Sequence, residues 1–171
     1  MRFGAIAFAL AGAAGVCVVG SAAFAETVSL PERKAGLWEL TTTMDEGMGP
    51  VDRTLTMCVD ADMERNTVIA SLIEHKQACS KYDISREGDK TVVNMSCRFD
   101  TRDVQGRTEM SGDFKTVLLV KIESTTSGDH RGQSVAVKRT ITQTGKYLGE
   151  SCGNLTGGEA MGSDGTRVMV Q

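Results

Sequence analysis

The stretch Cys79–Cys97 reads CSKYDISREGDKTVVNMSC and places Gly88 nine residues from either cysteine. Residues that favour strands fill both halves, and the central Glu87-Gly88-Asp89 is a turn signal. If those three residues form the loop of a β-hairpin, positions whose numbers sum to 176 lie opposite each other, and the two cysteines are such a pair. The stretch therefore predicts an antiparallel hairpin held by a disulfide.

The same register places the other side chains of the hairpin. It puts Ile84 opposite Val92 and Tyr82 opposite Asn94. Because successive side chains of a strand point to opposite faces, Val93 projects from the other side of the hairpin. Both faces of the hairpin are therefore expected to be partly covered.

The first 25 residues fit a secretory signal peptide. Arg2 supplies a positive start, residues 6–19 form an apolar run, and Ala23-Phe24-Ala25 fits a small-x-small cleavage site. A membrane anchor is the alternative, but the apolar run of 14 residues is shorter than the roughly 20 needed to span a bilayer. The pattern predicts cleavage after Ala25 and a periplasmic or secreted location.

Cleavage leaves residues 26–171, which suit one domain. Loss of Arg2 leaves 18 basic against 22 acidic residues, a net charge of −4. The basic residues are scattered, and this argues against nucleic acid as a partner, because neutralising phosphates needs clustered Lys and Arg. No further apolar run of membrane length follows, so no membrane span is expected in the mature chain.

Four cysteines remain after cleavage, and an even number in an exported chain favours disulfides. No two of them are closer than 18 positions, whereas zinc sites and thioredoxin-like redox motifs use close pairs such as Cys-x-x-Cys. The hairpin assigns Cys79 to Cys97, so Cys58 and Cys152 form the second predicted disulfide by exclusion.

Period-2 patterns separated by turn residues predict seven or eight antiparallel strands. The first hairpin joins 36–44 to 51–59 through the turn-rich loop 45–50. The strands predicted after the cysteine hairpin are 106–114, 116–124, 134–144 and a short one at 147–152.

One segment changes to helical spacing. Val68, Ile69, Leu72 and Ile73 recur at intervals of a helix, and Asp60 or Asp62 can cap its start. This predicts one α-helix over residues 62–76.

Together these elements predict a mainly β fold. An antiparallel meander of this length curls to limit open edges, so we expect a strongly curved sheet or partly closed barrel, stapled by disulfides, with the helix covering a mouth or face. The single β domain spans 26–152. Residues 153–171 have five glycines and little apolar pattern, so a mobile tail is expected there.

An ordered set of motifs resembles the bacterial exported family called domain of unknown function 3617. The motifs are Gly36-Leu37-Trp38-Glu39, Thr54-Leu55-Thr56-Met57-Cys58, the pair Cys79 and Cys97, and Lys146-Tyr147-Leu148-Gly149-Glu150-Ser151-Cys152. The resemblance spans roughly residues 31–152 and implies an exported envelope protein. It implies no activity, substrate or catalytic residue.

The residues offer little catalytic chemistry, so no catalytic, cofactor-binding or metal-binding residue is predicted and the protein is expected not to be an enzyme. The two histidines, His75 and His130, fall in different elements and are interpreted as surface residues. No predicted strand leads through a Gly-x-Ser-x-Gly turn into a helix, as it would in a serine hydrolase. The sequence also contains no Gly-Lys-Ser or Gly-Lys-Thr after a glycine-rich stretch, which a phosphate-binding loop would need. Trp38 is interpreted as a core anchor, with a ligand-contacting role as its alternative.

Methionine suggests one metal hypothesis. Met44 and Met48 flank a loop, Met161 and Met169 lie in the tail, and thioethers select copper(I). Methionine also fills cores, which is the competing interpretation.

Three functions follow from these patterns. The first is a non-catalytic binding module for an apolar or amphipathic small molecule; the second is a protein-interaction or structural module of the cell envelope; the third is copper handling. For the first, we expect a cavity or an open concave face lined by a set of inward side chains. These are Leu40, Leu55, Met57, Leu118, Val120, Val135 and Val137.

Overall fold

The computed structural model describes residues 28–130 and 132–170, with nine strands and one helix. In chain order the elements are β1 Gly36–Asp45, β2 Val51–Val59, α1 Ala61–Ala78, β3 Cys79–Glu87, β4 Lys90–Phe99, β5 Arg102–Gly112, β6 Val117–His130, β7 Gln133–Gly149, β8 Glu159–Gly162 and β9 Arg167–Met169. The predicted signal peptide and its cleavage site lie outside the described residues.

All nine strands belong to one antiparallel sheet, in the order β3-β4-β5-β6-β7-β1-β2-β8-β9. Within the described ranges the outer strands β3 and β9 do not pair, so the sheet stays open and does not close into a barrel. The prediction of a mainly β antiparallel fold with one helix and two disulfides is confirmed. The prediction of two separate strands at 134–144 and 147–152 is wrong, because residues 133–149 form one continuous strand, β7.

The cysteine hairpin forms with a shorter turn than predicted. Glu87 pairs with Lys90, so the turn contains only Gly88 and Asp89, with Gly88 in the left-handed region at φ 63°. Two-residue turns of this kind are favoured because their twist matches that of the flanking strands.

The shorter turn shifts the predicted register by one residue. Tyr82 pairs with Met95 and Ile84 with Val93, so the predicted partners Asn94 and Val92 are wrong. A register shift between Cys79 and Lys81 then restores the pairing of Cys79 with Cys97. The two cysteines are bonded, as are Cys58 and Cys152.

Helix α1 starts at a capped end and connects β2 to β3. The Asp60 side chain accepts hydrogen bonds from the amides of Asp62 and Met63, both at 3.0 Å, which is standard N-capping. Glu64 is buried, and its carboxylate forms an ion pair with Arg33 in which Nη2 donates to Oε2 at 2.6 Å. The observed helix, Ala61–Ala78, is longer than the predicted 62–76 by one residue at its start and by two at its C-terminal end.

The apolar core lies on one side of the sheet, which we call the core face. Trp38 is fully buried, donates from Nε1 to the Lys34 carbonyl at 2.8 Å, and packs edge-on against Tyr147 at 5.4 Å between ring centroids. This confirms the interpretation of Trp38 as a core anchor. The buried members of the cluster are Trp38, Leu40, Met57, Val59, Phe114, Leu118 and Ala160.

The loop between β5 and β6 delivers Phe114 to that core. Phe114 has φ 56°, an unusual conformation for a large side chain. The Asp113 carboxylate holds the turn by accepting the amides of Lys115, Thr116 and Val117 at 2.7 to 3.1 Å. These hydrogen bonds stabilise the ionised form and hold the pKa of Asp113 well below its ordinary value.

The segment after residue 153, for which a mobile tail was predicted, contains two short strands. Residues 159–162 and 167–169 form β8 and β9, and Ala160 is fully buried beside Met57. One of its glycines allows a close backbone approach: a Cβ on Gly157 would lie 2.8 Å from the Cβ of Asp60. Gly157 therefore permits packing against the helix start.

Candidate ligand-binding groove

The core face is filled at one end and open at the other. The core cluster occupies the end where β1 starts and β2 finishes, whereas the loops of the β1–β2 and β6–β7 hairpins mark the other end, which we call the hairpin end. Five large apolar side chains are exposed there. They are Met44, Met48, Val51, Val135 and Val137, between 37% and 94% exposed.

A groove of about 460 Å³ lies at the tip of the β1–β2 hairpin. We call it the methionine groove. Met44 pairs with Val51 and Thr42 with Arg53, so these four side chains share the core face. Its full lining is Thr42, Met44, Glu46, Met48, Gly49, Val51 and Arg53. An apolar floor with a few polar groups at its margin is the usual composition of a small-molecule site.

The loop that closes this groove is shaped by glycine. Gly47 and Gly49 have φ of 94° and 101°, and the amide of Gly47 donates to the Asp45 side chain at 2.7 Å. Between them Met48 is 94% exposed, so a thioether side chain is held out at the margin. The Gly-Met-Gly pattern was the sequence signal for this site, although it was interpreted only as a turn-rich loop.

A second groove of about 500 Å³ adjoins the first on the β6–β7 hairpin. We call it the valine groove, after Val135 and Val137 in its wall. Glu46 lines both grooves and is ion-paired with Arg139 of the valine groove. That pair therefore marks the boundary between the two.

Arg53 carries the charge of the methionine groove. The Glu46 carboxylate is already bound by the Arg139 guanidinium. Within the described residues no carboxylate forms an ion pair with exposed Arg53, although the charge of Asp164 lies near enough to interact with it. The groove thus combines an apolar floor with one available guanidinium.

The opposite face of the sheet, which we call the polar face, carries mainly polar and charged side chains, with exposed Val117 and Leu119 of β6 among its apolar exceptions. Thr41 and Thr54 pair across β1 and β2, with their hydroxyl oxygens 3.0 Å apart. Further along the polar face, the Arg107 guanidinium bridges Glu87 and Glu109. Arg107 lowers the pKa of Glu87, whereas the pKa of Glu109 is lowered first by Lys90 and then by Arg107. A shallow groove there is lined mainly by polar and charged side chains and has little apolar floor.

The seven side chains expected to line a single cavity are divided between the two ends of the sheet. Leu40, Met57 and Leu118 are buried in the core, with Leu55 and Val120 packed against them. Val135 and Val137 are exposed in the valine groove. The expectation of one shared cavity is wrong because Phe114 and β8 fill one end of the core face and leave the other uncovered.

The other predicted residues are dispersed. His75 is half-buried on α1, with Nδ1 2.6 Å from the Ser71 carbonyl and its ring against Tyr82. Met44 and Met48 share one groove, whereas Met161 lies on β8 beside Thr56, and Thr56 belongs to the polar face. In residues 28–130 and 132–170, no cluster of three or more His, Cys, Asp or Glu is suited to a metal ion.

The fold and site define a disulfide-bonded open β-sheet domain with an apolar groove at one end. The family model described as protein of unknown function (DUF3617) matches residues 33–152, and the chain belongs to that family. The resemblance in the sequence is thereby confirmed. Searches of curated proteins and of solved structures found no match. No helix in the described part of the chain is long and apolar enough to cross a membrane.

Proposed function

We propose that the protein is an exported, non-catalytic binding module that holds an amphipathic small molecule in the methionine groove. One observation carries the proposal: Met44, Met48 and Val51 are apolar, exposed and gathered around a groove of about 460 Å³. That volume lies within the roughly 300 to 1,000 Å³ of small-molecule sites.

Burial of these side chains supplies the driving force for binding. Met48 and Val51 are largely exposed and Met44 is partly exposed, so an aliphatic chain lying across them removes apolar surface on both partners from water. Methionine suits such a role because its flexible thioether adapts to ligands of different shape. The polar margin, Thr42 and Arg53, faces the solvent end of an amphipathic ligand.

The proposed export rests on the signal peptide pattern and on the two disulfides, which form in oxidising compartments. We place the protein in the periplasm or outside the cell. There, a binding protein would raise the amount of a long-chain amphiphile held in water, because its aliphatic chain is poorly hydrated.

The direct test is displacement of Nile red, a neutral apolar dye, by 1-dodecanol. Wild-type protein is expected to bind the dye near one to one and to release it to the alcohol. Val51→Glu places a charge in the groove and is expected to abolish binding. Val117→Glu is the matched control, because Val117 is also an exposed strand valine but lies on the polar face.

Equal dye binding by the two variants would refute the methionine groove as the site. Absence of any dye or alcohol binding by folded wild-type protein would refute the proposed function.

A second candidate is an envelope interaction module, favoured by two exposed isoleucines on α1. Ile69 and Ile73 lie one turn apart and are 47% and 53% exposed. Exposed apolar residues spaced four apart form one apolar face of a helix, and such a face can dock into the groove of a partner protein. Loss of a copurified partner chain in an Ile69→Ser, Ile73→Ser variant, with dye binding unchanged, would favour this candidate.

A further inference from the structure

We infer that the methionine groove selects amphiphiles with an anionic head group, and that Arg53 is the residue that determines this selection. The inference rests on the proposed function and names its ligand class. The apolar side chains of the groove bind the aliphatic chain, and Arg53 selects the charge of the head group.

The position of Arg53 is fixed by the strand pairing. Arg53 pairs with Thr42, two positions along from the Met44–Val51 pair, and all four share the core face. If the aliphatic chain of a ligand lies on Met44 and Val51, its head group can reach the neighbouring pair on the same face. That pair supplies the Arg53 guanidinium and the Thr42 hydroxyl. A guanidinium and a hydroxyl together offer several hydrogen-bond donors to a carboxylate or phosphate.

Three acidic residues near the groove leave the charge of Arg53 available. Glu46 lines the groove, but Arg139 binds its carboxylate. Asp45 and Asp52 alternate onto the polar face, where Asp52 accepts the Thr43 hydroxyl at 2.6 Å. Asp164 is the nearest acidic influence.

Asp164 accepts the amide of Thr166 at 2.9 Å, which is the main reason its pKa is lowered, so it stays ionised. Its negative charge partly offsets that of Arg53, but Asp164 does not line the groove. Counting the paired Glu46 and Arg139 together as neutral, the lining of the groove carries one positive charge. An anionic head group is thus attracted, a cationic one is repelled, and a neutral one is indifferent.

The valine groove extends the apolar surface but adds no net charge. Beside its two valines it is lined by Arg102 and Asp129, which carry opposite charges, and its Arg139 is paired with Glu46. The charge preference therefore rests on Arg53 of the methionine groove.

The experiment compares four dodecyl compounds that differ only in head group: dodecanoate, dodecyl phosphate, 1-dodecanol and dodecyltrimethylammonium. Each is titrated into full-length mature protein carrying Nile red, below its micelle concentration and at low salt. Wild-type protein is expected to bind the two anions roughly tenfold more tightly than the alcohol, because a charge-assisted hydrogen bond is worth that much. The cation is expected to bind most weakly.

Three variants assign the effect. Arg53→Gln is expected to bring the ratio of dodecanoate to dodecanol affinity close to one while dodecanol affinity stays at the wild-type value. Arg53→Lys keeps the positive charge and is expected to retain most of the ratio. Arg65→Gln is the matched control, because Arg65 is an exposed arginine on α1 outside the groove.

The outcomes separate the two claims. If wild-type protein binds dodecanol but shows no preference for anions, or if Arg53→Gln keeps the preference, the inference about Arg53 is wrong and the groove stands. If no dodecyl compound displaces the dye, the proposed function fails as well. A ratio that is large for the phosphate alone shows selection of a phosphate head group, and equal ratios for the two anions show recognition of the negative charge by itself.

Discussion

Replacement of Trp38 by alanine tests whether this side chain is the main anchor of the core. A buried indole removes roughly 150 to 250 Å² from water, worth about 4 to 6 kcal/mol at 25 cal/mol per Å². Trp38 is fully buried, so most of this applies, less the part that alanine retains. The lost Nε1 donor also leaves the Lys34 carbonyl without its partner. We expect Trp38→Ala to lower the free energy of unfolding by about 4 kcal/mol, within the range for such truncations.

The assay is urea unfolding followed by far-ultraviolet circular dichroism, which does not depend on the indole. Trp38→Phe covers the case in which the alanine variant does not fold, with an expected loss of about 1 to 3 kcal/mol from the unpaired carbonyl. Leu148→Ala is the control: Leu148 is 47% exposed, and its loss is expected to change stability by roughly 0.5 kcal/mol or less. A Trp38→Ala variant within about 1 kcal/mol of wild type would refute the core assignment.

Three further predictions concern the parts of the chain that hold the sheet together. Ala160→Glu is expected to lower the thermal midpoint clearly, because it forces a charge into the core beside Met57; an unchanged midpoint would show that β8 does not pack there. Non-reducing peptide mapping is expected to recover Cys58 linked to Cys152, and replacing both by serine is expected to cost roughly 4 to 5 kcal/mol, since the loop spans 94 residues. Asp113→Asn is expected to be less stable than wild type at neutral pH, and the difference should shrink as the pH falls below about 4, because the lowered pKa of Asp113 contributes stability only while the carboxyl is ionised. A gap that stays constant down to acid pH would contradict that role.

The sequence predicted the local elements well because their signals are local. Helical spacing and the Asp60 cap located α1 to within two residues, and alternation located the strands. The cysteine hairpin shows the limit of this reasoning. The pairing of Cys79 with Cys97 was right, but the turn was one residue too long, and a register shift near Cys79 compensates for that error.

The groove was beyond prediction because it depends on which part of the core face is left uncovered. Val135 and Val137 alternate along β7 as Leu118 and Val120 do along β6, yet the first pair is exposed and the second buried or partly buried. The difference comes from distant segments that cover only one end of the sheet. In the same way, Gly157 contributed to the glycine content that predicted mobility, although in the structure it permits close contact with Asp60 at the start of α1.

The nested order of the two disulfides has a consequence for biosynthesis. Synthesis proceeds from the N-terminus, so Cys79 and Cys97 emerge long before Cys152, the partner of Cys58. Oxidation in order of appearance would join Cys58 to Cys79 and leave both native pairs unformed. The sheet is also completed late, because β1 pairs with β7, which is synthesised about 90 residues after it. The native molecule is therefore reached only if Cys58 stays reduced until Cys152 is available, or if an early wrong bond is opened again by thiol–disulfide exchange.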